Sequence, residues 1–245
     1  GGGINIVVPL KDMGHDLETI SGLVSEKTRL VFIDNPNNPT GSVIPPDALN
    51  FFLAAIPEHV VVVLDEAYRD FVDQPLQADI NALIQDVDDH CGVVSLRTFS
   101  KAYGLAGVRI GFGIMHSSVA TCLHKVRQPF NINGIALTGA LAALEDSAFY
   151  QRTITSTKEG KRYLMHELGK LGCKSYPSQT NFFLIDVCGD ATLLYESMLK
   201  QGVIVRSMKA YGFPDFIRIN VGTPSENDRF LAALKESLLE CGYAR

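Results

Sequence analysis

The sequence predicts an α/β protein: a mostly parallel sheet with flanking helices, followed by a smaller α+β domain. Three observations predict it. From residue 4 to about residue 115, short apolar runs alternate with segments whose apolar residues recur at helical spacing. One run, residues 60–64 (Val-Val-Val-Val-Leu), is continuously aliphatic rather than alternating, as expected of a parallel strand buried on both faces. After Gly113 the alternation gives way to long helical segments and then to a short mixed series of strands and helices. A boundary near residue 146 is therefore expected, with a large domain over 1–146 and a small one over 147–245.

Taken in order, residues 4–8 (Ile-Asn-Ile-Val-Val) read as a first strand and 17–24 as a helix. Residues 29–34 read as the next strand. Pro45-Pro46-Asp47 suits a helix start, since proline is tolerated in the first turn and an acid there favours the dipole, so a helix is expected over 47–56. Strands follow at 60–64, 93–96 and 108–114, with a helix at 76–87 between the first two. Helices are then expected at 118–127, 134–144 and about 149–171. Beyond them come a strand at 181–187, a helix at 191–200, and strands at 203–205 and 216–221. The last helix has a clear start: Thr223 as N-cap, Pro224 behind it and Glu226 at the third position make a capping box.

Bulk properties exclude several classes. The 245 residues are 46% hydrophobic and 20% charged, an ordinary globular balance. A net charge of −5, with no basic run, gives no electrostatic footprint for nucleic acid. The five cysteines (Cys91, Cys122, Cys173, Cys188, Cys241) are odd in number and never form a C-x-x-C pair, so they read as reduced thiols of a cytoplasmic protein. The six histidines show no metal-ligand spacing and follow no nucleophile, and they read as background. No aliphatic run is long enough to span a bilayer. The chain opens on Gly1-Gly2-Gly3 without a secretory signal and passes at once into an apparent strand, which is expected of an incomplete chain.

In an open parallel sheet, ligands bind beyond the carboxyl ends of the strands. Three consecutive strand ends deliver reactive groups there. Asp34-Asn35-Pro36-Asn37-Asn38-Pro39-Thr40-Gly41 is a rigid, proline-rich turn carrying amides. Asp65-Glu66-Ala67-Tyr68 follows the aliphatic strand directly; an acid so placed is costly unless paired or solvated. Thr98, Ser100, Lys101 and Arg109 follow the strand at 93–96, with Gly104 and Gly107 in the turn between. A lysine that makes a Schiff base needs an amine at the mouth of a cleft. Short hydroxyls and an arginine suit a phosphate. Alone, this last segment is as readily a solvated surface loop; the other two segments decide for a pyridine-ring cofactor. A carboxylate facing the ring nitrogen keeps it protonated, so that the ring acts as an electron sink.

The segments Asn-x-Pro-Asn-Asn-Pro-Thr-Gly, Asp-Glu-Ala-Tyr and Thr-Phe-Ser-Lys-Ala-Tyr-Gly-Leu-Ala-Gly-x-Arg resemble those of class I/II aminotransferases of the fold-type I pyridoxal-phosphate family. The histidinol-phosphate aminotransferase branch is the nearest. Pro177-Ser178-Gln179-Thr180-Asn181-Phe182, Gly202–Arg206 and Arg218–Thr223 are similar to that branch's small-domain segments, in order, over nearly the whole chain. The resemblance implies a pyridoxal-phosphate-transferase-like sheet and pyridoxal 5′-phosphate as cofactor. It makes Lys101 the Schiff-base lysine and general base. Asp65 becomes the partner of the ring nitrogen, and Tyr68 and Asn38 donors to the ring oxygen. Thr98, Ser100 and Arg109 hold the cofactor phosphate. Arg218 binds the amino-acid carboxylate and, with Arg206, the phosphate of the substrate; a planar fork suits both anions.

The implied reaction moves an amino group between L-histidinol phosphate and 2-oxoglutarate in histidine biosynthesis, in a cytoplasmic homodimer. Transamination of aromatic amino acids and decarboxylation of threonine phosphate on the same fold are the alternatives, and a non-catalytic ligand-binding domain or inactive fragment is a further one. The resemblance also implies a region ahead of residue 4 that supplies a glycine-containing phosphate loop, an aromatic residue on the ring and a substrate arm. A chain without it is expected to retain cofactor weakly and turn over little.

Glu66 should point away from Asp65 by strand alternation and stays outside the site. Arg206 and Arg218 each sit in or beside a strand among apolar residues, an odd place for a purely solvated arginine. For Tyr211, pocket lining and packing both remain open.

Overall fold

The structure is a computed structural model that describes residues 2–79, 84 and 92–243. Its contacts divide into two compact units. One takes the chain up to Asn37 and Ser42–Ser147; the other takes Asn38–Gly41 and the chain from Ala148.

The first unit is built on a four-stranded sheet in the order β1-β2-β3-β4. Strands β1 (Leu30–Asp34), β2 (Val61–Asp65) and β3 (Val93–Thr98) are parallel, and β4 (Gly111–Met115) runs antiparallel to β3. The β-branched run of β2 is buried through Val62, Val63 and Leu64, as its continuous aliphatic pattern requires. Helix α1 (Leu17–Leu23) is capped by Asp16, whose carboxylate accepts from the Thr19 amide and hydroxyl. Those bonds hold the Asp16 carboxyl below its ordinary pKa. Helix α2 (Pro46–Ala55) turns Leu49 and Phe52 onto Ile33, Val62 and Leu64. Burying side chains of this size stabilises by about 2 kcal/mol each. Farther on, α3 (Ser117–Val126) and α4 (Gly134–Glu145) follow β4. Asn133 caps α4 through its carbonyl oxygen and donates its amide to Val108 O at 3.1 Å, tying the helix to the loop before β4.

Three expected strands are corrected. Residues 4–8 are not a strand: Ile4 is 92% and Val7 85% exposed, and the only pairing nearby among the described residues is the Lys11–Gly14 bridge. With no neighbour to take up its amides, an apolar alternation forms no ladder. The strand expected over 108–114 begins only at Gly111, because Ala106–Val108 forms a 3-10 turn and Arg109 adopts a left-handed conformation, φ +58°. Residues 203–205 form no strand pairing among the described residues, Val203 N donating instead to Met198 O at 3.0 Å; the edge strand there is β7 (Arg206–Ser207). The helix expected at 76–87 lies, from residue 80 and apart from Ile84, outside the described residues. Its expected start is the end of a 3-10 turn, Gln74–Leu76.

The second unit has an antiparallel sheet in the order β5-β6-β8-β7, with β5 (Lys174–Ser175), β6 (Phe182–Asp186) and β8 (Phe216–Asn220). Helices α5 (Ser147–Lys170), α6 (Ala191–Lys200) and α7 (Pro224–Glu240) supply Leu164, Leu168, Leu194, Met198 and Leu234 to a core shared with Phe183, Ile185 and Ile217. The capping box of α7 is present: Thr223 Oγ1 accepts from the Glu226 amide and Glu226 accepts from the Thr223 amide at 2.7 Å.

Residues Asn38–Gly41 belong to the second unit although both flanking segments belong to the first. Gly41 O accepts from Gln179 N at 2.8 Å, and a Cβ on Gly41 would overlap the Ser178 side chain. Its φ of +77° is a second reason for glycine. Gly41→Ala is expected to cost about 3 kcal/mol through strain and overpacking together. A denaturant midpoint equal to that of the unaltered chain would refute the tight approach.

Candidate active site

The register of the first sheet brings Asp34, Asp65 and Leu96 level at its carboxyl edge. Asp65 ends β2 exposed, with Oδ1 accepting from Ala67 N at 3.0 Å, so the chain turns tightly away from the strand end. Tyr68 comes next and is anchored from behind by Phe71, buried in the following turn. Thr98 lies two residues past Leu96, on the face of the sheet that Asp65 occupies.

The lysine segment is held by its neighbours rather than by itself. Phe99 is buried against Ile110, Ala136 and Ala140, with the Tyr103 ring at 5.0 Å, and Ala102 is fully enclosed. Burial and the Asp70 charge push the Tyr103 phenol above its ordinary pKa, against the nearby Arg97. Gly104, at φ +71°, closes the turn with its amide on Lys101 O at 3.0 Å. On this frame Lys101 is half-buried, its Nζ 5.2 Å from the centre of the Tyr68 ring.

Immediately before it, Thr98 Oγ1 donates to Ser100 Oγ at 2.9 Å and accepts from Ser100 N at 3.1 Å. The Arg109 guanidinium joins them, donating to Ser100 Oγ at 3.5 Å and to Ala106 O at 2.9 Å. The left-handed turn at Arg109 returns its side chain to the hydroxyls. Thus Thr98, Ser100 and Arg109 converge, Lys101 and Tyr68 meet, and Asp65 stands at the adjoining strand end. This donor set fits a phosphate, a pyridine nitrogen and an aldehyde.

The remaining expected site residues lie in the second unit. Arg206 and Arg218 are direct register partners across β7 and β8, so two guanidiniums share one face. Like charges placed directly opposite repel unless an anion lies between them. Arg218 stacks on the Phe182 ring at 4.6 Å and donates to Asn38 Oδ1. Arg206 packs 5.5 Å from the Tyr211 ring and donates to its hydroxyl at 3.2 Å, so Tyr211 buttresses an arginine. A cleft of about 630 Å³ is lined by both arginines with Asn220, Glu226, Asn227 and Arg229.

Two groups near the strand ends escaped the sequence. His15, read as background, bonds Asp34 Oδ1 at 2.7 Å, and Asn37 Nδ2 donates to the same oxygen at 2.9 Å. The acid at the end of β1, level with Asp65, was the available signal. Glu66 is outside the site, as alternation requires, but it is 3% exposed and held by Ser95, Arg97 and Arg69. Among the described residues no cluster of metal ligands occurs, and no helix is long and apolar enough to cross a membrane.

Residues 2–234 match the family profile of aminotransferase class I and II. A histidinol-phosphate aminotransferase of Desulfotalea psychrophila is 58% identical over 99% of this chain and 64% of its own length. The chain thus spans about 64% of that relative. The structure of histidinol-phosphate aminotransferase from Sinorhizobium meliloti in complex with pyridoxal-5′-phosphate superposes with a TM-score of 0.83 at 31% identity, over 96% of this chain and 65% of that one. L-threonine-O-3-phosphate decarboxylase from Porphyromonas gingivalis gives 0.74 at 26% identity, over 89% of this chain and 67% of that one.

Proposed function

This chain belongs to the class I and II aminotransferases, and we propose that it carries out pyridoxal-phosphate-dependent transamination of L-histidinol phosphate with 2-oxoglutarate. The observation that carries the proposal is the placement of Lys101: its amine lies against Tyr68, one residue past Ser100 of the Thr98–Ser100–Arg109 cluster, on the sheet edge where Asp65 ends β2.

Bound pyridoxal phosphate would supply a protonated pyridine ring as an electron sink for the amine-bearing carbon of the substrate. The chain's own residues do the rest. Thr98 and Ser100 hydroxyls and the Arg109 guanidinium would hold the phosphate. Asp65 would keep the proton on the ring nitrogen, and Tyr68 and Asn38 would donate to the ring oxygen. Lys101 Nζ would anchor the aldehyde and would serve as the general base for the proton on the amine-bearing carbon of the substrate. Arg218 would hold the carboxylate of the glutamate or 2-oxoglutarate partner and, with Arg206, the phosphate of histidinol phosphate. The facing guanidiniums support a pair of substrates of which one is a phosphate ester and the other a dicarboxylate. Homodimer assembly in the cytoplasm, with amino donor and 2-oxo acid as small-molecule partners, is part of the same reading.

The likeness to a threonine-phosphate decarboxylase favours one second reading, since that substrate also carries a phosphate ester. Initial rates on histidinol phosphate, phenylalanine and threonine phosphate separate them. Histidinol phosphate is expected to be preferred at least tenfold over phenylalanine, because a phosphate lost from an arginine pair costs about 1.4 kcal/mol or more. Equal or better rates on either competitor would overturn the substrate assignment.

A further inference from the structure

We propose that Glu66 and Arg97 form a clamp on the far face of the sheet that sets the spacing between Asp65 and Thr98, and so positions the two ends of the cofactor. The inference rests on the cofactor reading above.

Its basis is alternation and register. Asp65 is level with Leu96, so Asp65, Leu96 and Thr98 share one face of the sheet. The residues that follow Asp65 and precede Thr98 are Glu66 and Arg97, and both point to the opposite face. There they meet: Arg97 Nε donates to Glu66 Oε2 at 3.0 Å. Ser95, two residues earlier on β3, donates its hydroxyl to the same oxygen at 2.5 Å. Arg69, from the turn beyond Tyr68, donates to Oε1 at 2.8 Å and ties the bundle to Ala78 O at 2.7 Å. Between the strands, Glu66 N donates to Leu96 O at 2.9 Å.

A carboxylate that is 3% exposed is tolerated because charged donors engage both of its oxygens. The consequence reaches the other face. Asp65 is covalently next to Glu66 and Thr98 next to Arg97, so the bond that fixes one pair fixes the other. Asp65 is assigned to the ring nitrogen and Thr98 to the phosphate, at opposite ends of one rigid ligand. Sites of this kind need their groups held within about 0.5 Å of the working geometry. Glu66 and Arg97 touch neither end; they are positioning residues.

A purely structural pair would weaken every ligand alike or none. A clamp that sets a distance weakens only a ligand that spans it. The test therefore compares two probes on Glu66→Gln and Arg97→Lys: pyridoxal phosphate, which needs both ends, and inorganic phosphate, which spans nothing and needs only one anion site, the Thr98–Ser100–Arg109 end or the Arg206–Arg218 pair. Binding of each to folded protein is measured by equilibrium dialysis, with the folded fraction taken from circular dichroism. Pyridoxal phosphate is expected to bind about tenfold or more weakly in both variants, with inorganic phosphate within twofold of the unaltered chain. Arg97→Lys keeps a cation beside Glu66 and reads the same geometry if Glu66→Gln fails to fold. Equal weakening of both probes, or of neither, overturns the clamp. Failure of the unaltered chain to bind pyridoxal phosphate overturns the cofactor reading and the clamp with it, and is told apart by that control.

Discussion

Replacing Lys101 by alanine is expected to abolish covalent capture of the cofactor and lower turnover roughly 10⁴-fold or more. The amine has two assigned tasks, anchor and base, and nothing adjacent can assume either. Ser100 and Thr98 are committed to each other through their hydroxyls. Stability should change little, within about 0.5 kcal/mol, because the residues that hold the turn are Phe99, Ala102 and Gly104 rather than the lysine. Binding of the phosphate end should survive in part, since Thr98, Ser100 and Arg109 are untouched. Borohydride treatment in the presence of pyridoxal phosphate, followed by peptide mass analysis, provides the check. The unaltered chain should carry the label on the peptide containing Lys101, and the variant should carry none. A label that settles on another lysine in the unaltered chain would remove Lys101 from the site.

How far the sequence revealed this site depends on whether each feature is local. The parallel strands were legible because β2 is a run of valines ending in an acid, and burial on both faces leaves no other reading for such a run. Lys101 and its hydroxyls were legible because they lie within four residues of each other. The left-handed backbone at Arg109 was not, because it contradicts a β-favouring stretch of Val108 and Ile110 and is held from outside by Asn133 on Val108. Residues 4–8 carried the alternation of a strand, but a strand also needs a neighbour, and local pattern says nothing about one. The membership of Asn38–Gly41 in the second unit rests on contacts with Ser178, Gln179 and Arg218, far away in sequence. Alternation alone placed Glu66 off the site, yet its partners Ser95 and Arg97 come from another strand. Register, not composition, reveals them.

Asp65→Asn is expected to separate chemistry from architecture most cleanly. The amide is the same shape and can still accept from the Ala67 amide, so the turn out of β2 should hold and stability should stay within about 0.5 kcal/mol. What is lost is the negative charge that keeps a proton on the ring nitrogen, and with it the electron sink on which α-proton removal depends. A charge aimed at the reacting system is worth about 4 kcal/mol of transition-state stabilisation, so single-turnover rates should fall by about 10³-fold. Pyridoxal phosphate affinity should fall far less, because the phosphate donors and Lys101 remain. Stopped-flow measurement of the first half-reaction, together with dialysis for affinity, reads both quantities. A rate within tenfold of the unaltered chain would detach Asp65 from the ring nitrogen. The neighbouring substitution Glu66→Gln supplies the contrast, since it is expected to weaken affinity for the spanning ligand by disturbing the spacing behind the sheet. Adjacent acids on opposite faces of one strand end thus predict opposite signatures: Asp65 governs rate with the cofactor held, and Glu66 governs how well it is held.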